Sequence, residues 1–172
     1  MTQAKAMSKL QQKEGLSSQE KLGELIKACI LYGADKDGKI TKTKLAKLVY
    51  LADFAFYYYN LKPITGVVYK KLERGPVSLD YFDQLVSLVG TNQIQFEKNG
   101  KAEMFYLTEN IKEPNLGKNE LGLTQGICSK WKDKKTEEVV KFTHGQFPWK
   151  VSFENDEIPY SLIIQQDEAT LY

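Results

Sequence analysis

The residues best suited to chemistry in this chain are few. Its single histidine, His144, lies in "VVKFTHGQFPWKV" (139–151), with a Pro-Trp pair four residues on. A general base needs a partner that orients it and a substrate proton within reach. No carboxylate or nucleophile stands near His144 at a recognised catalytic spacing. The same stretch has a simpler structural reading. A histidine in the last turn of a helix meets the helix dipole and the free carbonyls. Gly145 is then expected to act as a left-handed C-cap, Pro148 to stop the helix, and Phe147 and Trp149 to fold back onto the core. Two cysteines, Cys29 and Cys128, form no CxxC. Cys29 falls in an apolar helical pattern that predicts burial, and both thiols are expected to stay reduced.

Metal chemistry fares no better. "GADKDGKITKTK" (33–44) imitates a calcium loop, with Asp35 and Asp37 at its third and fifth positions and Gly38 at its sixth. Its first position would be Gly33 and its twelfth Lys44, where calcium needs carboxylates. The segment reads as a turn. One His and two distant Cys cannot make a structural zinc site. Phosphate-loop, dinucleotide, HExxH and GxSxG signatures are missing from the sequence. The expectation is therefore no enzyme, no metal and no cofactor.

The elements that must position these residues follow from periodicity and punctuation. Ser17 and Glu20 have capping-box spacing, and Leu22, Leu25, Ile26, Cys29 and Ile30 recur at helical intervals. This predicts a helix over 18–33. Thr41 caps a second helix to about Asn60, with a stripe of Leu45, Leu48, Val49, Ala52 and Phe56. Asp53 lies beside that stripe, either as a half-buried anchor for a backbone group or tyrosine hydroxyl, or as a solvated helix residue. "VVYKKLE" alternates as a short strand. Gly75-Pro76 is expected to open a helix over 76–90 with Leu79, Phe82, Leu85, Val86 and Val89 inward. Strands at 93–98 and 101–107 flank Asn99-Gly100, a strong hairpin signal. A helix is expected over 123–133, and a final one capped by Thr136 and ending at Gly145. The fold class is mainly α with a small antiparallel β-hairpin or sheet (α+β): one compact helical domain over 17–150, after a polar lead-in at 1–16.

Charge separates the two ends. Glu154, Asp156, Glu157, Asp167 and Glu168 follow Lys150 with no Lys or Arg among them, although the whole chain is +2. The acidic segment 151–172 is expected to pack on the domain through "YSLII" or to meet a partner. The longest apolar or aromatic run, "FAFYYY" at 54–59, is far short of a membrane span. The polar N-terminal stretch carries no signal or transit pattern, so a cytoplasmic protein is expected. Helices followed by a hairpin also permit a winged-helix DNA-binding regulator. The helix before the hairpin, however, holds two Asp and no Lys or Arg, which is poor material for phosphate contacts. The run Lys39, Lys42, Lys44 and Lys47 is more basic, but it opens a helix whose other face is core.

Three blocks in order, "KLAKLVYLADFAFYYYNLKPITG", "YKKLERGPVSLDYFDQL" and "FTHGQFPWK", resemble the SocA-like Panacea domain of antitoxins and phage-associated proteins. Arg74 stands where many members carry Tyr before Gly-Pro-Val. The resemblance implies a mostly helical domain without enzymatic activity. It also implies a function as an antitoxin that neutralises a toxin encoded nearby by direct protein–protein binding, or as a phage-borne adaptor or inhibitor of a host protein. Asp53, Gly75, Pro76, Val77, His144, Pro148 and Trp149 are then the family signature, with a mainly structural role. Tyr57, Tyr58, Tyr59 and Arg74 are candidate partner contacts, because Tyr and Arg are enriched at hot spots. The three tyrosines are equally readable as core padding. Neither the toxin nor the oligomeric state is legible.

Overall fold

The computed structural model describes residues 15–109 and 113–172, so the expected lead-in lies, up to Glu14, outside the described residues. Helix α1 (Ser18–Gly33) starts at the expected capping box. Glu20 N donates to Ser17 Oγ, and Ser17 N donates to the Glu20 carboxylate at 2.7 Å. Its stripe of Leu22, Leu25, Ile26, Cys29 and Ile30 is buried. The calcium-loop look-alike is a turn, closed by Asp35 N to Lys39 O at 2.9 Å. The Lys44 ammonium sits 3.5 Å from Asp35.

Strand β1 (Ile40–Thr41) leads into α2 (Lys42–Asn60), capped by Thr41 Oγ1 as expected. From Lys44 to Phe56 every residue of α2 is buried, so this helix is the axis around which the others pack. It ends at Leu61, whose φ is 54°.

Strands β2 (Tyr69–Leu72) and β3 (Gly75–Ser78) form an antiparallel hairpin. This corrects the expected helix start at Gly75-Pro76. Gly75, at φ 113°, turns the chain back alongside β2. Pro76, lacking an N–H, is tolerated because each strand of a two-stranded hairpin is an edge. Helix α3 (Leu79–Gly90) begins three residues later, where Ser78 Oγ accepts from Asp80 N.

The inward face of α3 also differs from expectation. Tyr81, Leu85 and Leu88 are buried, whereas Leu79, Phe82 and Val86 are exposed and Val89 is only half-buried. Two apolar stripes compete on this helix. Tyr81, whose hydroxyl donates to Lys42 O at 2.8 Å, belongs to the buried one.

Strands β4 (Ile94–Asn99) and β5 (Ala102–Leu107) form the expected hairpin, turning at Gly100 with φ 62°. With β1 they make a sheet of order β1-β5-β4. Helix α4 (Lys118–Trp131) starts five residues before the expected position. Glu120 reaches back to Gly117 N at 2.8 Å, and that cap together with buried Thr124, Ile127, Cys128 and Trp131 overrides the weak propensity of Gly122 and Gly126.

Helix α5 (Thr136–Gly145) is capped by Lys135, whose N–H donates to Glu138. Thr136 is therefore its first residue, not its cap, and its hydroxyl meets that of Thr41 at 2.7 Å. Gly145 is not left-handed. The helix closes through extended Gln146 (φ −76°, ψ 149°) and a new short helix, α6 (Phe147–Val151), follows with Pro148 in its first turn. Pro148 thus starts a helix as well as following one. Beyond α6 the chain adds to the edge of β2, through Lys71 N to Asp156 O and Ile158 N to Tyr69 O. It then lays a 3-10 helix (Tyr160–Gln165) on α2, with Ile163 buried. The described residues are mainly helical with a small antiparallel β component, as the sequence predicts.

Candidate functional site

A helix buried on all sides must satisfy any charge it carries, and the buried core of α2 contains one carboxylate. Asp53 is 0% exposed. It accepts from Ile64 N at 2.7 Å, Thr65 N at 3.0 Å, the Thr65 hydroxyl, Tyr69 OH at 3.1 Å and Tyr160 OH at 2.9 Å. Burial pushes its carboxyl above the usual carboxylate range, and these donors oppose that shift. One side chain thereby fixes the Pro-Ile-Thr-Gly turn, strand β2 and the C-terminal segment on α2. The Phe54 and Tyr160 rings stack with centres 4.7 Å apart.

One face of the β2–β3 hairpin meets a second buried charge. Lys47, 2% exposed, donates to Pro76 O at 2.7 Å. A Cβ on Gly75 would lie 2.7 Å from Lys47 Cε and 3.3 Å from His144 Nε2, so the glycine lets the hairpin close on both. His144 and Trp149 stack with ring centres 4.3 Å apart and planes 4° from parallel. Lys71 Nζ lies 4.6 Å from the Trp149 ring centre and donates to Trp149 O and Ser152 O. Burial lowers the pKa of His144, and the Lys47 and Lys71 charges lower it further. The ring is therefore held neutral among cations. Among the described residues no carboxylate hydrogen-bonds the ring; the Arg74 backbone beside it opposes this lowering. Asp53, Gly75, Pro76, Val77, His144, Pro148 and Trp149 thus fall into two internal clusters tied to α2 and the hairpin.

Lys47 makes a testable contribution to stability. Burial lowers its pKa from 10.5 to about 7. The unfolded chain then holds this proton more tightly than the folded one, so stability rises with pH from about 7 towards 10 and is lost as pH falls through that window. His144 acts in the same sense below 6.5. Buried Tyr50, Tyr69 and Tyr81, all pushed up by burial, weaken the fold only above about pH 10. Denaturant melts at pH 7 and pH 9 are expected to show a gain for the wild type that Lys47→Met largely abolishes. An equal gain in the variant would assign the slope elsewhere.

The tyrosines divide. Tyr57 is half-buried and stacks on Tyr160 at 5.6 Å; Tyr58 is half-buried against the core. Tyr59 is exposed, and its hydroxyl donates to Glu168. Arg74 is exposed in the turn of the β2–β3 hairpin. The basic run is internally committed, with Lys39 on Glu97, Lys42 on Glu103, Lys44 on Lys132 O and Lys47 on Pro76 O. That leaves little for a phosphate backbone. Cys29 and Cys128, far apart in sequence, are neighbours in the core, and burial first and Cys128 second push the Cys29 thiol up.

The surface feature that the sequence reading missed is a groove between α3 and the β4–β5 sheet. Val86 is 74% exposed, Phe96 46% and Phe82 39%. With Val89 and Phe105 they line a hollow of about 310 Å³, bounded by the Lys42–Glu103 ion pair at 2.7 Å. Lys42 lies 5.5 Å from the Phe82 ring centre. Beyond that pair a second hollow of about 410 Å³ runs past Ala46 and Val77 to Arg74. A signal was present in the sequence: α3 carries two apolar stripes, and one helix can bury only one of them against its own domain.

Among the described residues, no three His, Cys, Asp or Glu side chains are placed to hold a metal, and no helix is long and apolar enough to cross a membrane. No curated protein and no solved structure matches the chain. The family model described as "Antitoxin SocA-like, Panacea domain" matches residues 45–150, from the core of α2 to the middle of α6. That span takes in Asp53, the Gly75-Pro76-Val77 hairpin strand and the His144–Trp149 stack, and the chain belongs to the SocA-like Panacea-domain family of antitoxins.

Proposed function

We propose that this protein is a cytoplasmic antitoxin of a toxin–antitoxin system, neutralising a toxin encoded beside it by direct protein–protein binding and without enzymatic turnover. The observation that carries this reading is the combination of family membership with an apolar groove open to solvent. The signature residues are spent on internal contacts, which leaves recognition to the surface. Large exposed apolar side chains grouped on one face mark interaction sites. Arg74, at the far end of the adjoining hollow, and Tyr59 are proposed as further contacts.

The test is growth. The adjacent open reading frame, induced alone, is expected to arrest its host, and co-induction with this protein to restore growth, with both proteins co-purifying. If every neighbouring frame is harmless, or if rescue occurs without a complex, the reading fails.

A further inference from the structure

We infer that the cleft between α5 and the C-terminal turns receives an acidic segment of the toxin, carboxylates set round a bulky apolar side chain. This rests on the antitoxin reading and gives it a second contact, apart from the groove beside α3.

The cleft has a volume of about 780 Å³ and lies where the end of α4, one face of α5, α6 and the chain around Gln166 and Thr170 meet. Lys134, just ahead of α5, and Glu138, Lys141 and Gly145 on it follow one another by three or four residues, the spacing of a single helix face. The apolar part is half-buried Phe142, tilted against buried Trp131 with ring centres 4.9 Å apart. The charge of the lining itself selects the occupant. Lys134, Lys141 and Lys150 are exposed, and among the described residues no carboxylate lies within ion-pair distance of their ammonium groups. Glu138 is the one acid among these lining residues, and its carboxylate accepts from Lys135 N at 2.7 Å at the start of α5. Between Gln166 and Thr170, Asp167 accepts from Ala169 N and Glu168 from Tyr59 OH, and neither lines the cleft. Three positive charges against one negative therefore border an apolar centre. Electrostatic complementarity then calls for carboxylates round an apolar anchor.

The same lining argues against other occupants. A second copy docked through this cleft about a two-fold axis would bring the lysines towards their own image. Residues 1–14 of this chain carry Lys5, Lys9 and Lys13 against Glu14 alone, so their charge opposes entry. A nucleic-acid strand is poorly matched: Glu138 stands between Lys134 and Lys141 on the face a phosphate backbone would follow. Trp131, being buried, also offers no free ring face on which a base could stack.

The experiment measures binding of the full-length protein to the product of the adjacent toxin gene at several salt concentrations. Gly145→Trp is the blocking variant. A Cβ there meets nothing within 4 Å and the residue is not left-handed, so folding is expected to be retained, as checked by circular dichroism and melting temperature. It is expected to bind at least roughly 30-fold more weakly and to lose rescue of growth. Lys134→Glu with Lys141→Glu and Lys150→Glu is expected to slow association at least about tenfold and to flatten its salt dependence. A control, Lys62→Glu with Lys98→Glu and Lys101→Glu, reverses three exposed lysines outside the lining and is expected to change affinity less than about threefold. A folded Gly145→Trp that binds as well as the wild type overturns the cleft assignment. An unchanged triple variant overturns the acidic character of the segment, and an equal loss in the control assigns the effect to overall charge. All three leave the antitoxin reading intact. A single-stranded oligonucleotide that displaces the toxin overturns the inference in favour of nucleic acid, and a wild-type dimer in sedimentation that Gly145→Trp dissociates overturns it in favour of a second copy. A wild type that neither binds nor rescues removes the antitoxin reading, and this inference with it.

Discussion

Asp53→Ala is expected to lower the unfolding free energy by on the order of 4 kcal/mol and the melting temperature by about 10 °C. The substitution removes the acceptor for four donors at once, two of them backbone N–H groups of Ile64 and Thr65, while the Tyr160 hydroxyl keeps Val67 O at 2.7 Å. A buried donor left without a partner costs about 1–3 kcal/mol. Relaxation around the small alanine side chain recovers part of that sum. Since folded domains are stable by only about 5–15 kcal/mol, the loss is a large fraction of the whole. Asp53→Asn separates hydrogen bonding from charge. Its amide oxygen still serves Ile64 and Thr65 N, and the Tyr69 and Tyr160 hydroxyls can rotate to accept from its NH₂. A loss of about half that of alanine is expected. Urea melts of both variants are the measurement, and a change within about 1 kcal/mol for alanine would show that the network contributes little net stability.

Gly75→Val is expected to destabilise by roughly 3 kcal/mol. Two causes act together. At φ 113° an L side chain is strained before it touches anything. The added Cβ would also stand 2.7 Å from Lys47 Cε and 2.9 Å from its Nζ. A flexible lysine tip could swing away on a surface, but this one is buried and bound to Pro76 O, so moving it strands a carbonyl and an ammonium together. Gly75→Ala combined with Lys47→Met separates the causes. The shorter pair removes the displaced ammonium and leaves the backbone strain. Chemical denaturation of the single and double variants gives the coupling between the two sites. Full additivity would mean that the lysine is not displaced.

Helix ends fixed by local chemistry were legible in the sequence. Ser17 with Glu20 and Thr41 each place a first turn to the residue, because a cap is a contact between neighbours three positions apart. The β4–β5 hairpin is legible for the same reason, since Gly100 supplies the positive φ its turn needs. The errors arise where a distant contact decides. Gly75-Pro76 suits a helix start as well as a strand, and only the pairing with Tyr69–Leu72 selects the strand. Either apolar stripe of α3 could face inward; the buried one holds Tyr81, whose partner, the Lys42 carbonyl, lies 39 residues back. Gly145 suits a left-handed cap by its position, but Pro148 and the burial of Trp149 draw the chain straight into another helix.

The candidate site shows the same division. Lys47 and Asp53 could have been paired with internal partners from the sequence, since from Leu45 to Phe56 they are the only charged residues in an otherwise apolar and aromatic helix. Their actual partners, Pro76 and Tyr160, lie 29 and 107 residues away, beyond any local pattern. The groove was hidden by a different rule. Reading all apolar residues of a helix as core leaves none to face a partner.

The reach of Tyr160 back to Asp53 also governs when this protein becomes whole. A chain made from its N-terminal end has α2 outside the ribosome long before the ring that closes over it, and contacts so distant in sequence form slowly. Until then α2 carries a carboxyl with part of its donors missing, and strand β2 has an open edge where residues 155–158 will pair. Completion of this fold therefore lags behind synthesis by the time the C-terminal residues take to emerge and dock. A cell that stops making this protein part-way leaves fragments in which Asp53 lacks the Tyr160 hydroxyl and the edge of β2 stays open.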